Sequence, residues 1–84
     1  MRIDKFLKVA RILKRRTVAQ EACQAHKVIV NGREVKPAYN VKVGDIVTLQ
    51  FLTNTIVFEV LSLQPVVKKE DATKLYKLLP NKEI

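Results

Sequence analysis

Apolar residues recur at Ile3, Phe6, Leu7, Ala10 and Leu13, the i, i+3, i+4, i+7, i+10 spacing of one helix face, and predict a helix over residues 3–13. At about 100° per residue, Lys5, Lys8, Arg11 and Arg15 fall on the opposite side, with Lys14 nearer the boundary. Val9 and Ile12 interrupt that polar side, so part of it either packs on a neighbouring element or meets a partner. Thr17 and Gln20 have capping-box spacing, and Ala19, Ala22 and Cys23 form a small apolar stripe, which predicts a second helix over 17–25. Small side chains on that stripe let the two helices approach closely.

The period then changes from helical to alternating. Val28 and Val30 flank Ile29, and Asn31-Gly32 follows as a two-residue turn leading into Arg33, Glu34 and Val35, a hairpin signal. Val43-Gly44-Asp45 marks another turn, after which Val47, Leu49 and Phe51 alternate with Thr48 and Gln50. Ile56, Phe58 and Val60 repeat the alternation beyond Thr53-Asn54-Thr55. Pro65 ends the last strand, and Lys69 to Leu79 predicts a C-terminal helix with Ala72, Leu75, Tyr76 and Leu79 inward, stopped by Pro80. The expected fold class is α+β: two N-terminal helices, a small, mostly antiparallel sheet and a short C-terminal helix. A chain of 84 residues with no linker, repeat or low-complexity tract is expected to form a single domain over 1–84.

Charge changes the picture from fold to partner. Sixteen Lys and Arg stand against eight Asp and Glu, a net of +8. Residues 1–42 carry eleven basic and three acidic side chains, whereas 43–84 carry five of each, so the whole excess lies in one half. Arg2, Lys5, Lys8, Arg11, Lys14, Arg15 and Arg16 crowd the first sixteen residues, opposed only by Asp4. Clustering of this kind points to an acidic partner, because charge serving solubility alone would be spread more evenly. Lys14, Arg15 and Arg16 stand where the second helix begins, beside backbone N–H groups that also favour anions.

The choice among acidic partners follows from what accompanies the cations. A membrane surface calls for a larger apolar face with Trp or Phe beside them, whereas the first helix spends its apolar face on the core. Specific reading of duplex DNA calls for base-reading side chains along an exposed helix, and the second helix offers Gln20, Glu21 and Gln24. Structured RNA, gripped through phosphates and shape, suits these residues best.

Catalytic and metal chemistry find little support in the residues. One His, one Cys and scattered carboxylates make no enzyme constellation, and no catalytic residue, cofactor or metal site is expected. Cys23 and His26 lie three residues apart, but without an orienting third group a small buried thiol is the simpler reading. His26 stands where a helix ends in a left-handed residue. Asp4 invites a role in reading a base amino group, yet a first-turn carboxylate is favoured by the helix dipole and can hold Lys8 or a loop arginine in place, so it is read as organising the site. The lone Cys and the absence of a long apolar run or leader pattern give the expectation of a cytoplasmic protein with no membrane association.

The order of these features resembles a known family. Arg2-Ile3-Asp4-Lys5-Phe6-Leu7, Ala10-Arg11, Arg16 with Ala19, Lys27-Val28, Val30-Asn31-Gly32 and Val43-Gly44-Asp45 together are similar to the S-four domain, the alpha-L RNA-binding motif, over about residues 2–51. The resemblance implies that the helices and following turn share one RNA-facing surface. Arg2, Lys5, Lys8, Arg11, Lys14, Arg15, Arg16 and Lys27 are then the expected RNA-binding residues, with Asp4 organising them, and an extra strand and C-terminal helix follow at about 55–79. Many members carry Ser or Thr at the position of Arg15 and Gly at that of His26, which shifts the expected cap to Thr17 and strains the second helix's exit.

Among stand-alone members, the run Met1 to Val9 with Lys14-Arg15-Arg16-Thr17, Glu21 and Lys68-Lys69-Glu70 resembles the RqcP-type family of bacterial ribosome-associated quality control. That resemblance implies binding, as a monomer, to large ribosomal subunits obstructed by peptidyl-tRNA, through large-subunit rRNA and the tRNA. It also implies work beside RqcH, which brings alanyl-tRNA for C-terminal alanine tailing. A heat-shock S-four-type protein rescuing stalled subunits is the alternative within the family, although such proteins usually carry a longer basic tail. A basic protein-interaction module is the alternative outside it.

Overall fold

The computed structural model describes residues 1–65 and 67–80. The single unit expected over 1–84 therefore includes residues 66 and 81–84, which lie outside the described residues. Helix α1 spans Ile3–Val9 and α2 spans Arg16–Gln24. Strands β1 (Val28–Val30), β2 (Arg33–Glu34), β3 (Ile46–Gln50), β4 (Thr55–Val60) and β5 (Tyr76–Leu79) form one sheet in the order β2-β1-β3-β4-β5, with every neighbouring pair antiparallel. Among the described residues, no helix is long and apolar enough to cross a membrane.

The alternating positions within β1, β3 and β4 turn to the same side. In register, Val28 faces Leu49, Val30 faces Val47, and Val47 faces Phe58, and each of these residues is buried. Against this face α1 lays Ile3, Phe6 and Leu7, while α2 contributes Ala19 and Cys23. Phe6 stacks on Phe58 at 6.3 Å between ring centres, and Tyr76 meets Phe58 edge-on at 5.5 Å. Fully burying side chains of this size stabilises by about 1.5–3 kcal/mol each, so the helices are pinned to the sheet mainly through their apolar faces. The N-terminus is also tied down by its backbone, through Ile3 N–H to the Tyr39 carbonyl (2.7 Å) and Val41 N–H to that of Met1 (2.8 Å).

Both helices end in the same way. At the end of α1, Arg11 has φ 57°, its N–H donates to the Lys8 carbonyl, and Ile12 N–H reaches back to that of Leu7. At the end of α2, His26 has φ 62°, its N–H donates to the Cys23 carbonyl, and Lys27 N–H reaches that of Ala22. Each is a Schellman motif with a side-chain-bearing residue in the left-handed position usually held by Gly. The helix expected to reach residue 13 therefore stops at Val9, and Arg11 and Arg15 lie beyond the helix on whose face their spacing had put them. Val9, Ile12 and Leu13 instead pack half-buried against the core.

Three further expectations are corrected. The second helix starts at Arg16, with Arg15 in extended conformation before it and no side-chain cap, because the Gln20 amide is engaged by Asp4 rather than by the backbone around Thr17. Phe51 lies past the end of β3 and is 40% exposed, since the chain turns there and Phe51 N–H donates to the Asn54 carbonyl. The predicted C-terminal helix is a 3-10 helix only over Lys69–Leu75, burying Ala72 and Leu75, after which Tyr76–Leu79 extends and pairs with β4. The open edge of β4 offers those residues ladder hydrogen bonds, and tertiary pairing overrides a helical spacing that a strand can also satisfy.

Candidate nucleic-acid interface

The centre of the site is a buried carboxylate. Asp4 has no exposed surface, a costly position for a charge unless its lone pairs are met. Its Oδ1 accepts the backbone N–H of Lys5 at 2.7 Å. Its Oδ2 accepts from Arg2 Nη2 at 3.1 Å and Gln20 Nε2 at 3.0 Å. Arg16 Nε lies 3.2 Å from the same oxygen, a charge contact without hydrogen-bond alignment. Burial pushes the Asp4 carboxyl upward, but the Gln20 amide, the Arg16 guanidinium and the Lys5 N–H together hold it below the ordinary aspartate value. Asp4 is thus ionised at neutral pH and draws two arginines to the point where α1 and α2 begin. Lys8, the other partner expected for it, is not among those it holds.

The two arginines are held by part of their donor set only. The side chains of Arg2 and Arg16 remain 46% and 41% exposed. Arg16 spends Nε on Asp4, which leaves its terminal nitrogens as a fork suited to a phosphate. Lys5 is half-buried next to Asp4, and Arg15 is exposed just before α2.

The remaining predicted residues fall into two other places. Lys8, Arg11 and Lys14 converge on a groove of about 340 Å³ whose other walls include Val9, Leu13, Pro65 and Val67. Lys27 is exposed on the rim of a second groove, between α2 and the end of β3, bordered by Val18, Ala22, Phe51 and Leu52. The structure therefore gathers Arg2 with Arg16, gathers Lys8 with Arg11 and Lys14, and sets Lys27 apart. Among the described residues, no carboxylate pairs with Lys5, Lys8, Arg11, Lys14, Arg15 or Lys27.

Gln20 was missed as a site residue, because the same side chain fits a capping box; the legible signal was its place three to four residues past Arg16 and Thr17, on the α2 face toward a lone buried acid. Pro65 and Val67 carry no sequence signal for the groove they border, since they approach it from beyond β4. Cys23 is buried, and burial, then the charge of Asp4, pushes its thiol up to about 11. His26 Nδ1 lies 2.8 Å from Glu34 Oε2 at the surface, so the ring pairs with β2 rather than with Cys23.

A second acidic hub fixes the turns behind this surface. Asp45 Oδ1 accepts from Asn31 Nδ2 at 3.0 Å, and its Oδ2 accepts from the Tyr39 hydroxyl and the Lys42 N–H, both at 3.0 Å. The loop that carries Tyr39, and with it the start of α1, is thereby tied to the β1–β2 turn.

Comparison with known proteins agrees with this fold. A family model of the S4 domain matches residues 1–47. The chain is 43% identical over 79 residues to the RQC P-site tRNA stabilizing factor of Listeria innocua, covering 94% of this chain and 86% of that protein. It is 38% identical over 84 residues to the protein of the same name from Bacillus subtilis, covering 100% of this chain and 98% of that one. Among solved structures, Vibrio cholerae heat shock protein 15, described as trimeric, aligns with a TM-score of 0.88 at 28% identity over 94% of this chain and 81% of its own. The solution structure of the hypothetical protein HP1423 aligns with a TM-score of 0.82 at 30% identity over 98% and 100% of the two chains. From its paired first helices to its added fifth strand, the chain belongs to the S4 domain family and, within it, to the RQC P-site tRNA stabilizing factors.

Proposed function

We propose that this protein is a non-enzymatic RNA-binding adaptor that engages large ribosomal subunits obstructed by peptidyl-tRNA and supports RqcH in C-terminal alanine tailing of stalled nascent chains. The observation that carries this reading is the concentration of cations in two groups, Arg2 and Arg16 sharing the single carboxylate of Asp4 and Lys8, Arg11 and Lys14 without one among the described residues, in a chain whose relatives are named for stabilising P-site tRNA. Arg2, Lys5, Lys8, Arg11, Lys14, Arg15, Arg16 and Lys27 contact phosphates of large-subunit rRNA and of the tRNA, and Asp4 sets the two arginines. Phosphate contacts position such a protein without reading sequence, which suits a factor that meets a folded RNA particle. The chain acts as one unit over 1–84, as a cytoplasmic monomer without a cofactor and away from membranes. The S4 motif over about 2–51 supplies the RNA face, and residues 55–79 extend its sheet.

The reading in which a heat-shock S4-type protein rescues stalled subunits draws on the likeness to the Vibrio cholerae protein, which is a likeness of fold. Co-sedimentation tests the main reading. The protein should migrate with large subunits carrying peptidyl-tRNA and less with empty ones, and should raise alanine tailing when RqcH is added. Protein left at the top of the gradient would reject ribosome binding. Binding without any effect on tailing would favour the heat-shock type.

A further inference from the structure

We propose that Lys8, Arg11 and Lys14 form a second anion cradle, separate from the Arg2–Asp4–Arg16 cluster, that holds a phosphodiester segment of RNA and is completed by the chain beyond β4. The proposal rests on the RNA-binding reading above and adds where, and with which part of the chain, a second contact is made.

The groove combines two kinds of lining. Three cations line it, and among the described residues no carboxylate lines it or pairs with them. Val9 and Leu13 add apolar surface from the same stretch of chain, and Pro65 and Val67 add more from beyond β4. A free inorganic anion has no use for that apolar lining. A nucleotide unit does, because its sugar and base present carbon surface within reach of its phosphate.

Arg11 adds an independent observation. It holds φ 57° at the end of α1, a backbone conformation that disfavours any residue with a Cβ and that Gly would adopt freely. Strain of this kind, kept at a residue whose side chain lines a groove, points to a task for the side chain. The Schellman turn ends α1 at Val9 and holds the backbone from which Arg11 reaches the groove.

The two cation groups also sit at opposite ends of α1. Arg2 precedes the helix and Lys8 lies in its last turn, so the seven-residue element separates them by about 10 Å along its axis. Val67 is half-buried and packs on the core, which makes this wall part of the fold although it lies outside the matched S4 segment, residues 1–47.

The test uses the full chain and a fluorescently labelled RNA hairpin, read by anisotropy. Val67→Glu and Val67→Lys lose the same apolar packing and differ in the charge placed in the groove. Leu78→Glu, on an exposed position of β5, makes the same charge change away from it. Val67→Glu should weaken binding about tenfold, with Val67→Lys at least as tight as the parent and Leu78→Glu close to it. Equal affinities for the two Val67 variants, with the parent chain still binding, would overturn the cradle and leave the RNA-binding reading intact. No binding by the parent would sink both. Inorganic phosphate should compete only through ionic strength; specific displacement by it at constant ionic strength would mark a free-anion site and reject the RNA segment.

Discussion

Arg16 Nε lies 3.2 Å from Asp4 Oδ2, pairing a carboxylate with no exposed surface to a side chain that is 41% open to solvent. One arginine thus belongs both to the fold and to the surface. Arg16→Ala should weaken subunit binding by about 1–3 kcal/mol and should also lower the melting temperature, because Asp4 then keeps only Arg2, Gln20 and the Lys5 N–H. Lys at this position should recover part of the binding, since a point charge cannot reproduce the fork. Asp4→Ala should lower the melting temperature as well, and the double variant should lose less than the sum of the two. Strict additivity in thermal melts would show that the pair is not energetically coupled.

Binding to the subunit should fall steeply with salt. About five to seven phosphate contacts release counterions and set a log–log slope of several units. Lys77→Ala, on exposed β5 in the charge-balanced half, should leave that slope unchanged, whereas Lys14→Ala should reduce it by about one. A flat salt titration of the parent protein would rule out a cation-dominated interface.

Acid should unfold the protein through its two buried carboxylates. Asp4 and Asp45 both have folded pKa values below the ordinary one, because hydrogen bonds and neighbouring cations outweigh the upward push of burial. The unfolded chain therefore binds more protons, and the stability these groups supply is present in full above about pH 5. It is lost as pH falls through the ordinary aspartate value near about 3.9 and on to the lowered ones. Urea unfolding measured from neutral to strongly acid pH should show this decline, and Asp4→Asn should flatten part of it. An Asp4→Asn profile with the parent's slope would mean that Asp4 does not contribute.

Cys23 should be inert in the folded protein. Its thiol is buried and pushed up to about 11, so almost no thiolate exists at neutral pH. Iodoacetamide at about pH 7.5 should label it only after denaturation. Rapid labelling of the native protein would show that the core under α2 opens.

The legible parts of the fold were those written in local periodicity. Ile3, Phe6 and Leu7 announced α1, and the alternations around Val28–Val30, Val47–Leu49 and Ile56–Val60 announced β1, β3 and β4. Asn31-Gly32 announced the hairpin, and both residues take positive φ there. What stayed hidden depended on distant partners. The stop after Val9 needed a left-handed arginine where glycine is the usual sign, and β5 needed the free edge of β4. At the site, the cationic cluster and its lone acid were readable from spacing along the chain. The division of the cations into two groups was not, because Gln20 and Val67 reach their places only through tertiary packing.

The burial of Asp4 bears on what this surface can distinguish. Asp4 has no exposed surface, and with Oδ1 accepting from Lys5 and Oδ2 crowded by Arg2, Gln20 and Arg16, the carboxylate is out of reach of a base amino group. The predicted contact residues are otherwise lysines and arginines, so the face meets its partner with donors alone. Such a surface offers nothing to the amino groups of adenine and cytosine, and suits phosphate oxygens and base acceptors. Exchanges that alter only base amino groups and preserve the backbone path of an RNA should therefore leave its affinity for this face unchanged.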